Sequence, residues 1–232
     1  MPVKYTDTTK TRVPVCLCLD ISGSVSRNME TLNTHVKNIC ESIIKHTSPS
    51  VVFEIIRFTF GGMLSSKRYD VEMKEFSEIE KGYVTETFKA DENTPIGKAV
   101  KNAYQSLETY KKKIKESKMQ YFQPIFIIIS DGRENSTDQD REWLSTYQKI
   151  IRDEISEGKM VVIPIGIGSV NEEIMDGFLP GGQKHISGTD INFDDLIQLI
   201  DATVVSKAAK IPQSRLSEVI NGMARAGRKN LR

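Results

Sequence analysis

Three oxygen-bearing side chains crowd one short stretch of this sequence: Asp20, Ser22 and Ser24, in Leu19-Asp20-Ile21-Ser22-Gly23-Ser24. One carboxylate and two hydroxyls at alternate positions are hard donors. With no Cys or His among them, they suit Mg²⁺, Ca²⁺ or Mn²⁺ rather than zinc. A second carboxylate, Asp131, closes the apolar run Ile125-Phe126-Ile127-Ile128-Ile129-Ser130 and is followed by Gly132. A third hydroxyl, Thr94, stands in Asp91-Glu92-Asn93-Thr94-Pro95-Ile96-Gly97. The two carboxylates match the charge of a divalent ion. Mg²⁺ prefers about six oxygens in an octahedron, so five groups, some acting through water, leave a place for water or an outside ligand. A carboxylate from a partner protein fits that place best.

The surrounding elements must bring these residues together. Val13-Pro14-Val15-Cys16-Leu17-Cys18-Leu19 reads as a strand buried on both faces, ending at Asp20. Met29, Leu32, Val36, Ile39 and Ile43 follow at helical spacing, and Val51–Phe58 is a second strand ending near Gly61-Gly62. Residues 69–76 and 83–88 are weaker extended candidates, one of them expected as an antiparallel edge. Thr94 is a natural N-cap and Pro95 a natural first residue for a helix with Ile96, Val100, Ala103, Leu107 and Ile114 inward. Lys111, Lys112, Lys113 and Lys115 read as its solvated, dipole-favoured end. The strand ending at Asp131 comes next. Ser136-Thr137-Asp138-Gln139-Asp140 then offers a capping box and an acidic first turn. A strand over 160–168, a short helix near 172–178, a short strand over 183–186 and a helix opening at Asn192-Phe193-Asp194-Asp195 complete the pattern.

Strands alternating with helices predict an α/β fold, a mostly parallel Rossmann-like sheet with one antiparallel edge strand and helices on both faces. Such sheets bind ligands outside the carboxyl ends of their strands, where Asp20 and Asp131 both lie.

On the Asp-x-Ser-x-Ser signature at Asp20, Ser22 and Ser24, with Thr94 and Asp131, the chain resembles a von Willebrand factor A (VWA) domain with a metal-ion-dependent adhesion site. The resemblance covers residues 13–206. It implies that Ser22, Ser24 and Thr94 touch the metal and that Asp20 and Asp131 act largely through water. It also implies a protein-binding role, completed by an Asp or Glu of the partner. Where the family carries Gly-Gly before the threonine, this chain has Glu92-Asn93. The form Thr94-Pro95-Ile96-Gly97 is similar to bacterial VWA proteins of tellurite-resistance and stress operons, which implies a cytoplasmic stress-response or regulatory complex.

The competing reading is a Mg²⁺-dependent phosphatase using Asp20 as nucleophile. Such enzymes place a second carboxyl two residues later as acid/base, and here that position holds Ser22, whose hydroxyl does not titrate usefully. Gly166-Ile167-Gly168-Ser169-Val170-Asn171 lacks the third glycine of a dinucleotide loop. The expected class is therefore a binding module and not an enzyme.

Composition adds boundaries. The 232 residues carry a net charge of +1, so bulk charge favours neither nucleic acid nor membrane. No run reaches the ~20 apolar residues of a membrane helix, and the start lacks a signal-peptide core. Three cysteines make no disulfide framework; Cys16 and Cys18 share one strand face as small hydrophobes of a reducing compartment. His35, His46 and His185 show no ligand spacing, and Trp143 reads as a core residue of its helix. A polar extension over 1–12 precedes the domain at 13–206. A tail over 207–232 carries Lys207, Lys210, Arg215, Arg225, Arg228, Lys229 and Arg232 against Glu218 alone. Its short stripe of Leu216, Val219, Ile220 and Met223 fits docking on the domain or on a partner, and Ser214 and Ser217 lie beside Arg215.

Overall fold

The computed structural model describes residues 9–46, 48–64, 67–73, 77–78, 88–89, 94–134, 137–187, 191–206, 208 and 210–229. Strand β1 (Thr11–Asp20) is followed by a 3-10 helix (Gly23–Asn28), α1 (Met29–His46), β2 (Val51–Leu64), β3 (Lys67–Met73) and β4 (Ser77–Glu78). Then come α2 (Ile96–Glu116), β5 (Ile125–Ser130), α3 (Asp138–Ser156), β6 (Val161–Gly166) and α4 (Glu172–Asp176). β7 (Ile186–Ser187), α5 (Asp194–Val205) and α6 (Gln213–Lys229) end the chain. The sheet order is β3-β2-β1-β5-β6-β7, with β4 also on β2. Five strands, β2, β1, β5, β6 and β7, run parallel, while β3 and β4 pair antiparallel to β2.

Alternation along β1 explains the two-faced burial. Val13, Val15, Leu17 and Leu19 point into one core with α1, α5 and α6. Cys16 and Cys18 point into the other with α2, α3 and α4. An open parallel sheet needs both faces covered, and this apolar run satisfies both at once. Alpha6 joins the first core through Leu216 and Met223 and packs on α5 and β7. Alpha1 and α5 are also tied by charge. Asp194 accepts from Ser42 Oγ at 2.6 Å and pairs with Lys45 at 2.6 Å.

Several expectations shift. β2 runs past Phe58 and through Gly61-Gly62 to Leu64, because antiparallel β3 supplies partners for Gly62, Met63 and Leu64. The last strand is Ile186–Ser187, set by pairing with Ile165 and Gly166 of β6. Lys111 is no solvated end: it is buried, 2.5 Å from Glu108. Trp143 is half-buried rather than core, with the Lys101 ammonium 3.8 Å from its ring centroid. The 69–76 candidate falls on β3 as far as Met73, whereas 74–76, 83–87 and the start of the polar extension lie outside the described residues.

The topology fixes where chemistry can happen. From β1 the chain moves to β2 on one side and, later, to β5 on the other, so the order reverses between β1 and β5. That reversal opens a crevice at the carboxyl ends of the two strands. Asp20 is the last residue of β1, and Asp131 directly follows β5.

Candidate metal centre

Leu19 pairs with Ile129, so the next residues, Asp20 and Ser130, stand side by side at the end of the sheet. Asp20 is fully buried. Its Oδ1 accepts the Ser22 backbone N–H at 2.9 Å, which folds the loop back over the carboxylate. Its Oδ2 accepts the Ser130 hydroxyl at 2.6 Å. Ser130 Oγ in turn accepts the Gly132 N–H at 2.9 Å. Ser22 and Ser24 follow in the same turn with their hydroxyls 3.0 Å apart, Ser22 buried and Ser24 exposed.

Asp131 is buried, its Oδ1 accepting the Arg133 N–H at 2.9 Å and its backbone carbonyl the Asn171 N–H at 2.7 Å. Gly132 makes this turn at φ +67°, where a side chain would also press on the Asn171 carbonyl. The loop after β6 closes against both others: Arg133 Nε donates to the Ser169 carbonyl at 3.0 Å, and Asn28 lies against Gly168.

Thr94 reaches the same edge by way of α2. Tyr121, packed with Ile114 near the end of α2, bridges Arg12 at the start of β1. A 21-residue helix spans about 30 Å, so α2 runs back along the sheet and begins beside the strands' carboxyl ends. Thr94 is buried there. It is not the N-cap; Pro95 is. With φ −81° and ψ 64°, and with the Ile96 N–H donating to the Thr94 carbonyl at 2.9 Å, Pro95 makes an inverse γ-turn that starts the helix one residue late. Glu92 and Asn93 lie outside the described residues.

Burial, above all, raises the Asp20 carboxyl to about 6; hydrogen bonds from Ser130 and Ser22 oppose the rise, and the Asp131 charge adds to it. Among the described residues no Lys or Arg pairs with either carboxylate. Two buried carboxylates that repel, lined by hydroxyls, form an all-oxygen donor set of the kind that Mg²⁺, Ca²⁺ or Mn²⁺ prefers. No group of three or more His, Cys, Asp or Glu that could hold a metal ion occurs among the described residues.

Ser130 escaped the sequence reading. Its only signal was a lone hydroxyl ending an isoleucine run, and its partner is set by cross-strand register. His185 is not isolated either: its Nδ1 lies 2.8 Å from Asp176, and its ring lies against Gly166 at the end of β6.

No protein-family model matches the chain, and no curated protein matches it by sequence. Among solved structures, it shares its fold with the pilus adhesin SpaC from Lactobacillus rhamnosus GG in its open conformation. That match has 13% identity and a TM-score of 0.53, over 92% of this chain and 30% of SpaC. A von Willebrand factor type A structure from Catenulispora acidiphila aligns at 14% identity and TM-score 0.49, over 83% of this chain and 42% of that one. Manganese-loaded TRAP of Plasmodium vivax aligns at 14% identity and TM-score 0.44, over 86% and 74%. The chain spans less than half of SpaC and of the Catenulispora chain. By fold it is an open α/β sheet of Rossmann-like class.

Proposed function

We propose that this chain is a divalent-cation-dependent protein-binding module of VWA type. Ser22, Ser24 and Thr94 would hold Mg²⁺, Mn²⁺ or Ca²⁺ through their hydroxyls, with Asp20 and Asp131 acting largely through water. An Asp or Glu of a partner protein completes the coordination. The observation that carries this reading is the meeting of two buried carboxylates with the Ser22–Ser24 hydroxyls at the reversal between β1 and β5. The role is binding and not catalysis, because Ser22 occupies the place where a hydrolase of this layout keeps its acid/base carboxyl. A cytoplasmic bacterial stress-response or tellurium-resistance complex is the setting we propose, and its support is the Thr94-Pro95-Ile96-Gly97 form alone.

The test is a pair of measurements. Site groups converge only in the folded chain, so free metal at ~100 times its dissociation constant stabilises by about 2.7 kcal/mol. Melting in millimolar Mn²⁺ is expected to exceed melting in EDTA accordingly. A melt that does not move, with no heat of Mn²⁺ binding, sinks the metal reading. Capture of acidic partners in Mg²⁺ and its loss in EDTA, with Thr94→Ala weakening capture more than metal binding, tests the bridging carboxylate. Removing everything after Ser206 is a poor control, because it also strips the buried Leu216 and Met223 from the core.

Ser130 gives a further expected result. A group that holds a ligand's orientation is worth about 10–100-fold in metal affinity. Ser130→Ala is expected to weaken Mn²⁺ binding by that factor in calorimetry, and Ser130→Thr, which keeps the hydroxyl, to restore most of it. Equal affinities for alanine and wild type would show that Asp20 holds its position without the serine.

A further inference from the structure

Asp140 lies in the first turn of α3, yet its carboxylate does not serve its own helix. Oδ2 accepts the Gly97 N–H at 2.9 Å and Oδ1 accepts the Lys98 N–H at 2.6 Å. With Pro95 as N-cap, Gly97 and Lys98 are the second and third residues of α2. Theirs are the amides that an N-cap side chain normally satisfies. The cap of α2 therefore comes from α3, across more than forty residues of sequence. Asp140 is nearly fully buried, so the tie is shielded from water. Alpha3's own cap is Thr137, whose Oγ1 accepts the Asp140 N–H at 3.3 Å. The expected capping box is thus half made, because its acidic member is turned outward to α2.

A second contact tightens the joint. A Cβ at Gly97 would sit 1.9 Å from the Asp140 carbonyl oxygen and 2.8 Å from the Leu144 nitrogen. Both are backbone atoms, so the two helices touch main chain to main chain at this point.

We infer that Asp140 is a positioning residue of the metal centre, fixing the loop of Thr94 against the loop of Asp131. The inference rests on the metal reading above. Thr94 stands three residues before Gly97, and Asp131 seven residues before Asp138, the first residue of α3. The joint is the short route by which the threonine's place is set relative to the second carboxylate. It also takes over the capping of α2, the task the sequence assigned to Thr94, so that the threonine is not needed as a cap.

Mn²⁺ titration calorimetry on the full chain tests this. Asp140→Ala is expected to raise the dissociation constant about tenfold, the lower end for an outer-sphere partner. Asp140→Asn, which keeps one acceptor, is expected to fall between alanine and wild type and carries the test if alanine does not fold. In a Thr94→Ala background, Asp140→Ala is expected to add little, because its effect passes through the threonine. Ser42→Ala, which cuts the Asp194 tie on the opposite face of the sheet, serves as the stability control. It is expected to lower the melting temperature and leave Mn²⁺ affinity unchanged. An unchanged dissociation constant in both Asp140 variants, or effects of Asp140→Ala and Thr94→Ala that simply multiply, overturns the inference while the metal reading stands. A wild-type chain that binds no Mn²⁺ overturns both.

Discussion

Asp20→Asn is expected to lose divalent-cation binding and yet melt higher than wild type in chelator. Burial raises the Asp20 carboxyl to about 6 from an ordinary value of 3.8. A carboxyl with a raised folded-state value binds its proton more tightly folded than unfolded. Its contribution to stability is complete below the unfolded value and is lost as pH rises through about 6. At neutral pH the apo fold therefore carries a penalty of about 2–3 kcal/mol, on ~1.4 kcal/mol per unit. Asparagine removes the charge; its one oxygen still accepts the Ser22 amide, and its Nδ2–H₂ faces the Ser130 hydroxyl, which then accepts instead of donating. Apo wild type is expected to gain stability as pH falls from about 7 to about 4, and the variant is expected to lack this gain. Metal reverses the order, because it needs the charge the variant has lost. Urea unfolding in EDTA and in Mn²⁺, at two pH values, reads both effects. A variant that binds Mn²⁺ like wild type, or one less stable than wild type in EDTA at neutral pH, removes the argument.

The second large effect lies at the opposite end of β1. Arg12 and Glu54 are both buried and pair at 2.7 Å between neighbouring strands. Their register partners are Val52 and Pro14, so the two side chains reach diagonally across the β1–β2 ladder. Deleting one member removes the opposite charge that faces the other out of water, at a cost of about 3–5 kcal/mol. Glu54→Ala is expected to destabilise by that amount in urea unfolding, with little change in Mn²⁺ affinity because the site lies at the other edge. The double replacement Arg12→Met with Glu54→Leu is expected to recover most of the loss, since an apolar pair of similar volume needs no desolvation. Single and double variants that are equally unstable would place the cost in packing rather than in the broken charge pair.

Where a residue's fate is decided by its own neighbours in sequence, it could be read in advance. The runs Val13–Leu19 and Ile125–Ile129 are apolar at every position, which only a strand covered on both faces tolerates. The carboxylates that end them marked the sheet edge. The stripe of Ile96, Val100, Ala103 and Leu107 gave α2 its buried face in the same way. What escaped is decided across the fold. Thr94 followed by Pro95 is a good local cap, but the cap comes from Asp140, and no local pattern announces a carboxylate that serves another helix. Lys111 looked solvated among its lysine neighbours, yet Glu108 and the packing of α2 on α3 bury it. Ser130 became a partner of Asp20 only through the β1–β5 register. β2 outran its glycines because an antiparallel neighbour offered hydrogen bonds that a lone strand lacks.

The three cysteines have a practical consequence. All are free and buried, with Cys16 and Cys18 on the α2–α3 side of β1 and Cys40 in the opposite layer under α5. Burial pushes the Cys40 thiol up to about 12 and raises Cys16 and Cys18 strongly as well. Alkylating reagents need thiolate, so the native chain is silent to them, and each thiol reacts only when its layer opens. A pulse of iodoacetamide, followed by peptide mass spectrometry, turns these side chains into clocks built into either side of the sheet. If the two layers part as one cooperative unit, all three clocks keep the same time; if the helices over one face lift first, Cys40 and the Cys16–Cys18 pair run at different rates.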